Sequence, residues 1–294
     1  MARTKTTPKS RPAAKARTKP KPKPKAKAAA KPTQAQRADK HALYQGSVQV
    51  PEADIEIFDD IFMKLRGRRP LTMREDFCGT AYLSCTWVAS HPKRRAIGVD
   101  LDRPTLDWGE QHNVVKLAPA QRKRLQLLEG NVLDGLGDRT ELTCALNFSY
   151  AVFKTRDLLR RYFESVRERL VDDGVFITEL YGGTEAIIEL EEERRCSGFT
   201  YVWEQAHYNP INHDALCHIH FRFKDGSAIE KAFTYDWRVW TVPEMRELLL
   251  EAGFRSVAIW WEGVDEDGDG TGDYRPTERE ENQESWLVYI VGQK

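Results

Sequence analysis

Two acids and one glycine in this sequence are spaced as in sites that hold a nucleotide-like ligand. Glu75 ends a segment with strand character, and Gly79 follows where the chain must turn tightly into a helix, with Thr80 as the expected N-cap. Asp100 ends the next apolar run, 25 residues after Glu75, close to the spacing at which a second-strand carboxylate meets a ribose. Such a junction also points N–H groups and a positive helix end into a crevice. The sequence therefore predicts a nucleotide-binding crevice here.

The elements that must position these residues alternate between strand and helix. After the strand that ends at Glu75, apolar runs predict six more strands, at Arg95–Asp100, Leu127–Asp134, Leu142–Phe148, Val175–Leu180, Phe254–Trp261 and Ser285–Val291. Amphipathic patterns predict helices, among them one ending at Gly67 and others at Arg103–His112, Arg156–Leu170 and Val242–Ala252. An acidic loop is expected between the last two strands. The alternation predicts an α/β fold with a doubly wound, mostly parallel, seven-stranded sheet.

The first three strand ends together resemble those of class I S-adenosylmethionine-dependent methyltransferases. In that family the first strand runs into acid-x-Gly-x-Gly-x-Gly, the second ends in a ribose-binding acid, and the third ends in a turn beside the adenine. Alignment places Glu75 at the acid, Gly79 at the middle glycine, and Phe77 and Ala81 where the other two glycines would stand. A nicotinamide-binding domain would instead require G-x-G-x-x-G, which this loop lacks.

The resemblance implies S-adenosylmethionine as the cofactor and assigns its contacts. Glu75 and Gly79 are expected near the methionine end, Asp100 at the ribose, and Asn131 with Val132 beside the adenine. Tyr44 is expected either at the sulfonium or as a packing residue. The complete set of expected cofactor contacts is Tyr44, Arg74, Glu75, Cys78, Gly79, Thr80, Asp100, Asp102, Asn131, Val132 and Asn147.

The end of the fourth strand is where this family places the transferred methyl group. Asn147-Phe148-Ser149-Tyr150 stands there and is weakly similar to the Asn-Pro-Pro-Tyr motif of enzymes that methylate amino groups. Asn147 is expected to contact cofactor or substrate. Tyr150 is a candidate base, with simple packing as the alternative.

Residues 184–240 form an insertion after the fifth strand. They predict a charged helix at Thr184–Arg195 and three strands, at Phe199–Tyr208, Leu216–Lys224 and Ala228–Asp236. The insertion resembles the antiparallel lid of small-molecule N-methyltransferases that act on sugars or glycine, where the lid covers the substrate and builds a homodimer. His220 is a second candidate base, and a polar face of the lid is the alternative.

The lid histidines also raise the question of a metal site. His218 and His220 share one face of a strand, about 7 Å apart. Cys217 faces the other way, and no further ligand has the spacing of a structural zinc site. We therefore expect no metal.

Charge divides the sequence into a basic tail and an acidic body. Residues 1–37 contain thirteen Lys and Arg and no acid, although the 294-residue chain has a net charge of zero. This Lys/Pro/Ala-rich tail is expected to be disordered, and residues 38–294 to form the methyltransferase domain. The tail is expected either to be solubilising or to contact nucleic acid weakly. Five cysteines without a CxxC pair, and no long apolar stretch, favour a cytoplasmic protein without a membrane span.

Three functions remain open from the sequence. The first is methyl transfer from S-adenosylmethionine to a nitrogen or oxygen of a small molecule. The second is methylation of nucleic acid, or of a protein bound to it, with the basic tail as a tether. The third is a non-catalytic binding or scaffold module, which the missing loop glycines favour.

Overall fold

A computed structural model describes residues 31–264 and 270–294, which form two β-sheets and the helices around them. The strands are β1 (Thr72–Asp76), β2 (Arg95–Asp100), β3 (Leu125–Glu129), β4 (Thr140–Ala145), β5 (Leu170–Gly182), β6 (Leu190–Arg195), β7 (Phe199–Asn209), β8 (Asp214–Phe223), β9 (Ala228–Arg238), β10 (Ser256–Val264), β11 (Gly270–Thr277) and β12 (Trp286–Gln293). The helices are α1 (Gln34–Arg37), α2 (Lys40–Val48), α3 (Pro51–Arg66), α4 (Tyr82–Ser90), α5 (Arg103–His112), α6 (Pro119–Arg122), α7 (Arg156–Arg169) and α8 (Val242–Glu251).

The larger sheet has the strand order β11-β10-β12-β5-β4-β1-β2-β3. Strands β1 to β5 pair in parallel, and β12, β10 and β11 add antiparallel pairs at one edge. Reversal of the strand order between β1 and β4 opens a crevice at the carboxyl ends of these strands. The predicted α/β fold, with an antiparallel insertion after the fifth strand, is confirmed.

Helices cover both faces of this sheet because each carries one apolar stripe. On one face, Phe58 and Phe62 of α3 pack with Trp87 of α4, and all three side chains are buried. On the other, Tyr162 of α7 packs in the same cluster as Leu248 of α8. Helix α3 ends at Gly67, whose φ of 70° is favourable for glycine. Burial on both sides explains the continuous apolar character of the parallel strands.

The sheet has an eighth strand where the sequence predicted only an acidic loop. Strand β11 folds back on β10, and Tyr274 packs against Tyr289 of β12 with ring centroids 4.8 Å apart. This packing gives an otherwise polar segment an apolar anchor. The most acidic part of the predicted loop, residues 265–269, lies outside the described residues.

The smaller sheet is the lid, with strand order β6-β7-β8-β9. The helix predicted at Thr184–Arg195 is wrong beyond its first turn, because Thr184–Ile187 form one 3₁₀ turn and residues 190–195 form the edge strand β6. Side chains alternate between the two faces of the sheet: Glu191 and Glu193 both form ion pairs with Arg222 of β8, whereas Glu192 is in register with Trp203 of β7, which lines the cavity described below. This segment has no apolar stripe that a helix would bury, so strand pairing is the more favourable arrangement.

The N-terminal segment lies against the lid from Thr33 onward. Residues 1–30, which make up most of the predicted tail, are outside the described part of the chain. Gln34 donates its backbone N–H to Asp225 at 2.7 Å, and Ala35 donates to Ser227 at 3.0 Å. Thr33–Lys294 form one compact unit, so the predicted boundary at residues 37 and 38 falls inside it. No helix of the described chain has both the length and the hydropathy needed to cross a bilayer.

Candidate active site

The loop between β1 and α4 is held by the Glu75 carboxyl group. It accepts hydrogen bonds from the backbone N–H of Ser84 at 2.9 Å and from its hydroxyl at 2.5 Å. Burial raises the pKa of Glu75 to about 8. The helix begins at Tyr82, one residue after Ala81, whose φ is 55°. Thr80 is therefore not the N-cap that the sequence predicted, because the turn is one residue longer and Glu75 bonds the first helical turn instead.

Asp100 joins the second strand to this loop. Its carboxyl group accepts the Gly79 N–H at 2.7 Å and the Asp102 N–H at 2.8 Å. Burial raises the pKa of Asp100, and these N–H groups oppose the rise. Gly79 has a φ of 53°, a left-handed conformation that glycine adopts readily. The structure thus brings Asp100 and Gly79 together, as expected, whereas the Asp102 carboxyl accepts from the Thr105 hydroxyl at 2.6 Å.

Thr80 is the point at which three elements meet. Its hydroxyl accepts from the side chain of Gln45 in α2 at 2.7 Å, and its carbonyl accepts from the side chain of Asn113 at 2.9 Å. Gly109 of α5 lies against the same backbone. Cys78, the other expected loop contact, is buried and has a raised thiol pKa because of that burial. Helix α2 therefore covers the crevice.

Replacement of Gly109 by alanine is expected to disturb this loop. A Cβ atom at Gly109 would lie 2.4 Å from the carbonyl oxygen of Thr80, so the backbone would have to move. We expect a loss of about 1–3 kcal/mol in the free energy of unfolding, measured by urea titration. Gly46→Ala in α2 is the control, because nothing lies within 4 Å of that position and alanine favours helix. Equal effects of the two changes would contradict the close packing described here.

The predicted adenine-side residues follow β3. The Asn131 side chain accepts from the backbone N–H of Leu133 at 3.0 Å and so shapes the turn. Val132 is buried in the core, and its carbonyl accepts from the Ser165 hydroxyl at 3.0 Å. The two residues lie at the turn after β3, on the edge of the crevice that Asp100 also borders.

Arg74 lies on the opposite side of β1 from Glu75 and donates a hydrogen bond to the backbone carbonyl of Leu136. Its side chain is 1% exposed and forms an ion pair with Asp76 at 2.7 Å, and Asp76 also accepts from the Tyr162 hydroxyl at 3.1 Å. Side chains alternate along β1, so Arg74 and Asp76 face α7 while Glu75 faces the opposite side of the sheet. The structure therefore does not bring Arg74 together with Glu75 and Gly79.

A cavity of about 760 Å³ opens beneath the lid, within the size range of small-molecule sites. Tyr44, Asn147 and Tyr150, three predicted site residues, line it. The Tyr150 hydroxyl donates to the backbone carbonyl of Glu179 at 2.9 Å, and burial raises its pKa well above the usual value. The lid contributes an aromatic wall in which Tyr235 and Trp237 stack with centroids 4.3 Å apart.

His220, the other predicted base, is on the opposite face of the lid from this cavity. Its ring is hydrogen bonded to Glu204 at 2.9 Å and to Glu230. The neighbouring His218 contacts the Thr234 hydroxyl at 3.0 Å. Residues 217 and 219 of the same strand line the cavity, so the alternation of side chains turns His220 away from it. Within the described ranges, no group of three or more His, Cys, Asp or Glu residues is placed to hold a metal ion.

Sequence reasoning missed two acids near Asn147, Glu179 directly and Asp54 through its effect on Glu179. Glu179 of β5 is buried and accepts a hydrogen bond from the backbone N–H of Asn147. Asp54 of α3 is close enough that its charge raises the pKa of Glu179 further, and burial raises the pKa of Asp54 itself to about 7. The sequence signal for Glu179 was that it is a single acid within the apolar run VFITEL. Burial of a charge there is unfavourable unless the charged group is hydrogen bonded.

No family model and no curated protein match this sequence. Solved structures do match the fold. An S-adenosylmethionine-dependent methyltransferase from Clostridium acetobutylicum superposes with a TM-score of 0.60 at 15% identity, covering 86% of this chain and 96% of that one. CalS10, an amino pentose methyltransferase from Micromonospora echinaspora, superposes with a TM-score of 0.61 at 15% identity, covering 86% of this chain and 95% of that one. KedS8, a sugar N-methyltransferase from Streptoalloteichus sp., superposes with a TM-score of 0.57 at 16% identity, covering 92% of this chain and 97% of that one. The chain therefore has the fold of the class I S-adenosylmethionine-dependent methyltransferases, with an antiparallel lid over its cavity.

Proposed function

We propose that this protein transfers a methyl group from S-adenosylmethionine to a nitrogen or oxygen atom of a small molecule. The observation that carries the proposal is the placement of two adjacent residues of α2. Gln45 contacts Thr80 of the Gly79 loop, whereas Tyr44 lines the cavity beneath the lid. A methyl donor in the crevice and an acceptor in the cavity would thus meet beside the same helix.

The residues around the crevice fit the proposed cofactor. The Asp100 carboxylate has the position and charge to accept hydrogen bonds from ribose hydroxyls, and Gly79 leaves room for close approach to the backbone. We expect Asn131 and Val132, at the turn after β3, to lie beside the adenine, and Glu75, which holds the start of α4, to lie near the methionine end. When bound, S-adenosylmethionine supplies the electrophilic methyl group.

The cavity residues would align the acceptor and exclude water from it. Three rings, of Trp203, Tyr235 and Trp237, form an extended aromatic surface, with the Trp203 and Trp237 centroids 6.1 Å apart. Such a surface binds flat or ring-containing molecules. Asn147 lines this cavity, and we expect its side chain to orient the accepting atom. The similar amino pentose and sugar N-methyltransferases support a ring-bearing acceptor.

Several finer predictions from the sequence stay predictions. These are a homodimer, a weak contact of residues 1–37 with nucleic acid, and a cytoplasmic location. A cofactor role of Arg74 and a base role of His220 lose support from the placement of their side chains, described above.

Calorimetric titration of the purified protein with S-adenosylmethionine and S-adenosylhomocysteine tests the proposal. We expect micromolar binding of both, and no binding of NAD, because the loop lacks the glycines that a pyrophosphate needs. A screen of amino sugars and phenols with methyl-labelled cofactor would then identify acceptors. Binding without transfer to any acceptor would favour the scaffold alternative, and absence of cofactor binding would refute the proposal.

A further inference from the structure

The segment after β4 has an unusual backbone. Asn147 and Phe148 are consecutive non-glycine residues with φ values of 53° and 54°. Asparagine tolerates this left-handed region, but phenylalanine is rarely found there. The conformation places Phe148 in the cavity wall, with its ring edge toward Trp237 at a centroid distance of 6.3 Å. Something outside the segment must therefore hold it in place.

Glu179 is the residue outside the segment that holds Asn147 and Phe148 in place. Its carboxyl group accepts a hydrogen bond from the Asn147 N–H, and the nearby Phe148 N–H also favours its charged form. The backbone carbonyl of Glu179 accepts from the Tyr150 hydroxyl at 2.9 Å. One residue of β5 thus holds both ends of the stretch 147–150. Glu179 is buried, with 9% of its surface exposed. Within the described chain it nevertheless forms no salt bridge that would offset the burial of its carboxyl group.

We propose that Glu179 is a positioning residue whose carboxyl group holds the left-handed Asn147–Phe148 segment as one wall of the acceptor cavity. A buried acid without a cationic partner is otherwise unfavourable in this strand. Its structural role is independent of the reaction, whereas its effect on turnover rests on the proposed function. Loss of the carboxyl group frees the segment, which then leaves its left-handed conformation and withdraws Phe148 from the wall.

Amide hydrogen exchange tests this role without any acceptor. In Glu179→Leu, a change of similar volume that removes the acceptor oxygens, the amides of Asn147 and Phe148 should exchange about tenfold faster or more. In Glu179→Gln, which keeps one neutral acceptor oxygen, protection should lie between that of the wild type and that of Glu179→Leu. Glu189→Leu is the matched control, because Glu189 is an exposed lid acid paired with His207. Unchanged exchange in Glu179→Leu, or equal losses in the Leu and Gln variants, would overturn the proposal.

A second measurement applies if Glu179→Leu does not fold. A carboxylate accepts N–H hydrogen bonds more strongly than a carboxylic acid does, so wild-type protection of the two amides should fall as pH is lowered between about pH 9 and pH 6. Glu179→Gln should show no such dependence. The other titratable groups that act on Glu179 belong to neighbouring elements and are Tyr44, Asp54, Cys144, Tyr150, Tyr274 and Tyr289. The same pH dependence in both proteins would assign the effect to one of these groups and overturn the proposal.

Once an acceptor is known, kinetics can test the positioning role of Glu179 separately from the proposed methyl transfer. Glu179→Gln and Glu179→Leu should still bind S-adenosylhomocysteine, with at most a small loss of affinity through Asn147, because no hydrogen bond joins Glu179 to the Gly79 loop in the described residues. The Leu variant should have a raised KM for the acceptor and a lowered kcat, and the Gln variant should recover most of both. Cofactor binding that fails in the wild type would instead refute the proposed function and leave the exchange result unaffected.

Discussion

Asp100→Ala should weaken S-adenosylmethionine binding about tenfold or more, because a charge-assisted hydrogen bond is worth about 1.5–3 kcal/mol. Two contributions are lost together. The carboxylate that would accept ribose hydroxyls disappears, and the Gly79 N–H loses its 2.7 Å partner, so the loop is less well organised before binding. Calorimetric titration of both proteins with the same cofactor stock measures the change.

Asp107→Ala is the matched control for that experiment. Asp107 lies on the exposed side of α5 and pairs with Arg103 at i,i+4, in the same helix that follows Asp100. Surface pairs of this kind contribute little, so cofactor affinity should not change. Equal affinity of wild type, Asp100→Ala and Asp107→Ala would remove Asp100 from the site and place the ribose elsewhere.

Asp76→Ala should destabilise the fold by about 3–5 kcal/mol, the typical cost of leaving one member of a buried ion pair without its partner. The Arg74 and Asp76 side chains are each 1% exposed, so water cannot replace the missing carboxylate. Tyr162 would lose the acceptor for its hydroxyl as well. Urea unfolding followed by circular dichroism measures the difference.

The double variant Arg74→Met/Asp76→Leu distinguishes charge from packing. Removal of both charges leaves apolar groups of similar size, so much of the lost stability should return. Glu164→Ala breaks the exposed Arg160–Glu164 pair of α7 and should change stability by less than about 0.5 kcal/mol. A double variant as unstable as Asp76→Ala would mean that the ion pair itself is required for correct folding.

The positions of the five parallel strands along the chain could be predicted because they carry apolar runs that alternate with helix patterns. Gly67 and the face formed by Ile55, Phe58 and Phe62 marked α3 correctly. The ends of β1 and β2 could be placed at one edge, because parallel strands share their direction. Asp100 and Gly79 were therefore expected to border one crevice, but the hydrogen bond between them was not predicted.

The face on which a side chain lies was harder to predict. Arg74 and Glu75 are adjacent in sequence, yet alternation puts them on opposite sides of the sheet. His220 was placed by type alone, and the lid strand turns it away from the cavity. To assign a side chain to one face of a sheet, one must know on which side of the sheet the connecting helices pack. That packing is set by residues far apart in the sequence.

The edge strand β6 and the acid Glu179 show two further limits. Strand β6 is stabilised by pairing with β7, and the local run of charges carries no sign of that partner. Glu179 accepts a hydrogen bond from the backbone N–H of Asn147, which lies 32 residues away in the sequence. Sequence patterns over a few neighbouring residues cannot predict such a contact. Both depend on contacts that exist only after the sheet has assembled.

Helix α2 forms part of the boundary of two ligand sites, and this arrangement has a kinetic consequence. On the proposed function, we expect Gln45 to separate from Thr80 when a ligand leaves the crevice, and Tyr44, the residue next to it in the same helix, to move with it. Arg194 of the lid also donates to the Ser47 carbonyl, so the lid is drawn into the movement. On the proposed function, one displacement of α2 would open the crevice and the cavity together, so we expect the spent cofactor and the methylated product to leave with one shared rate.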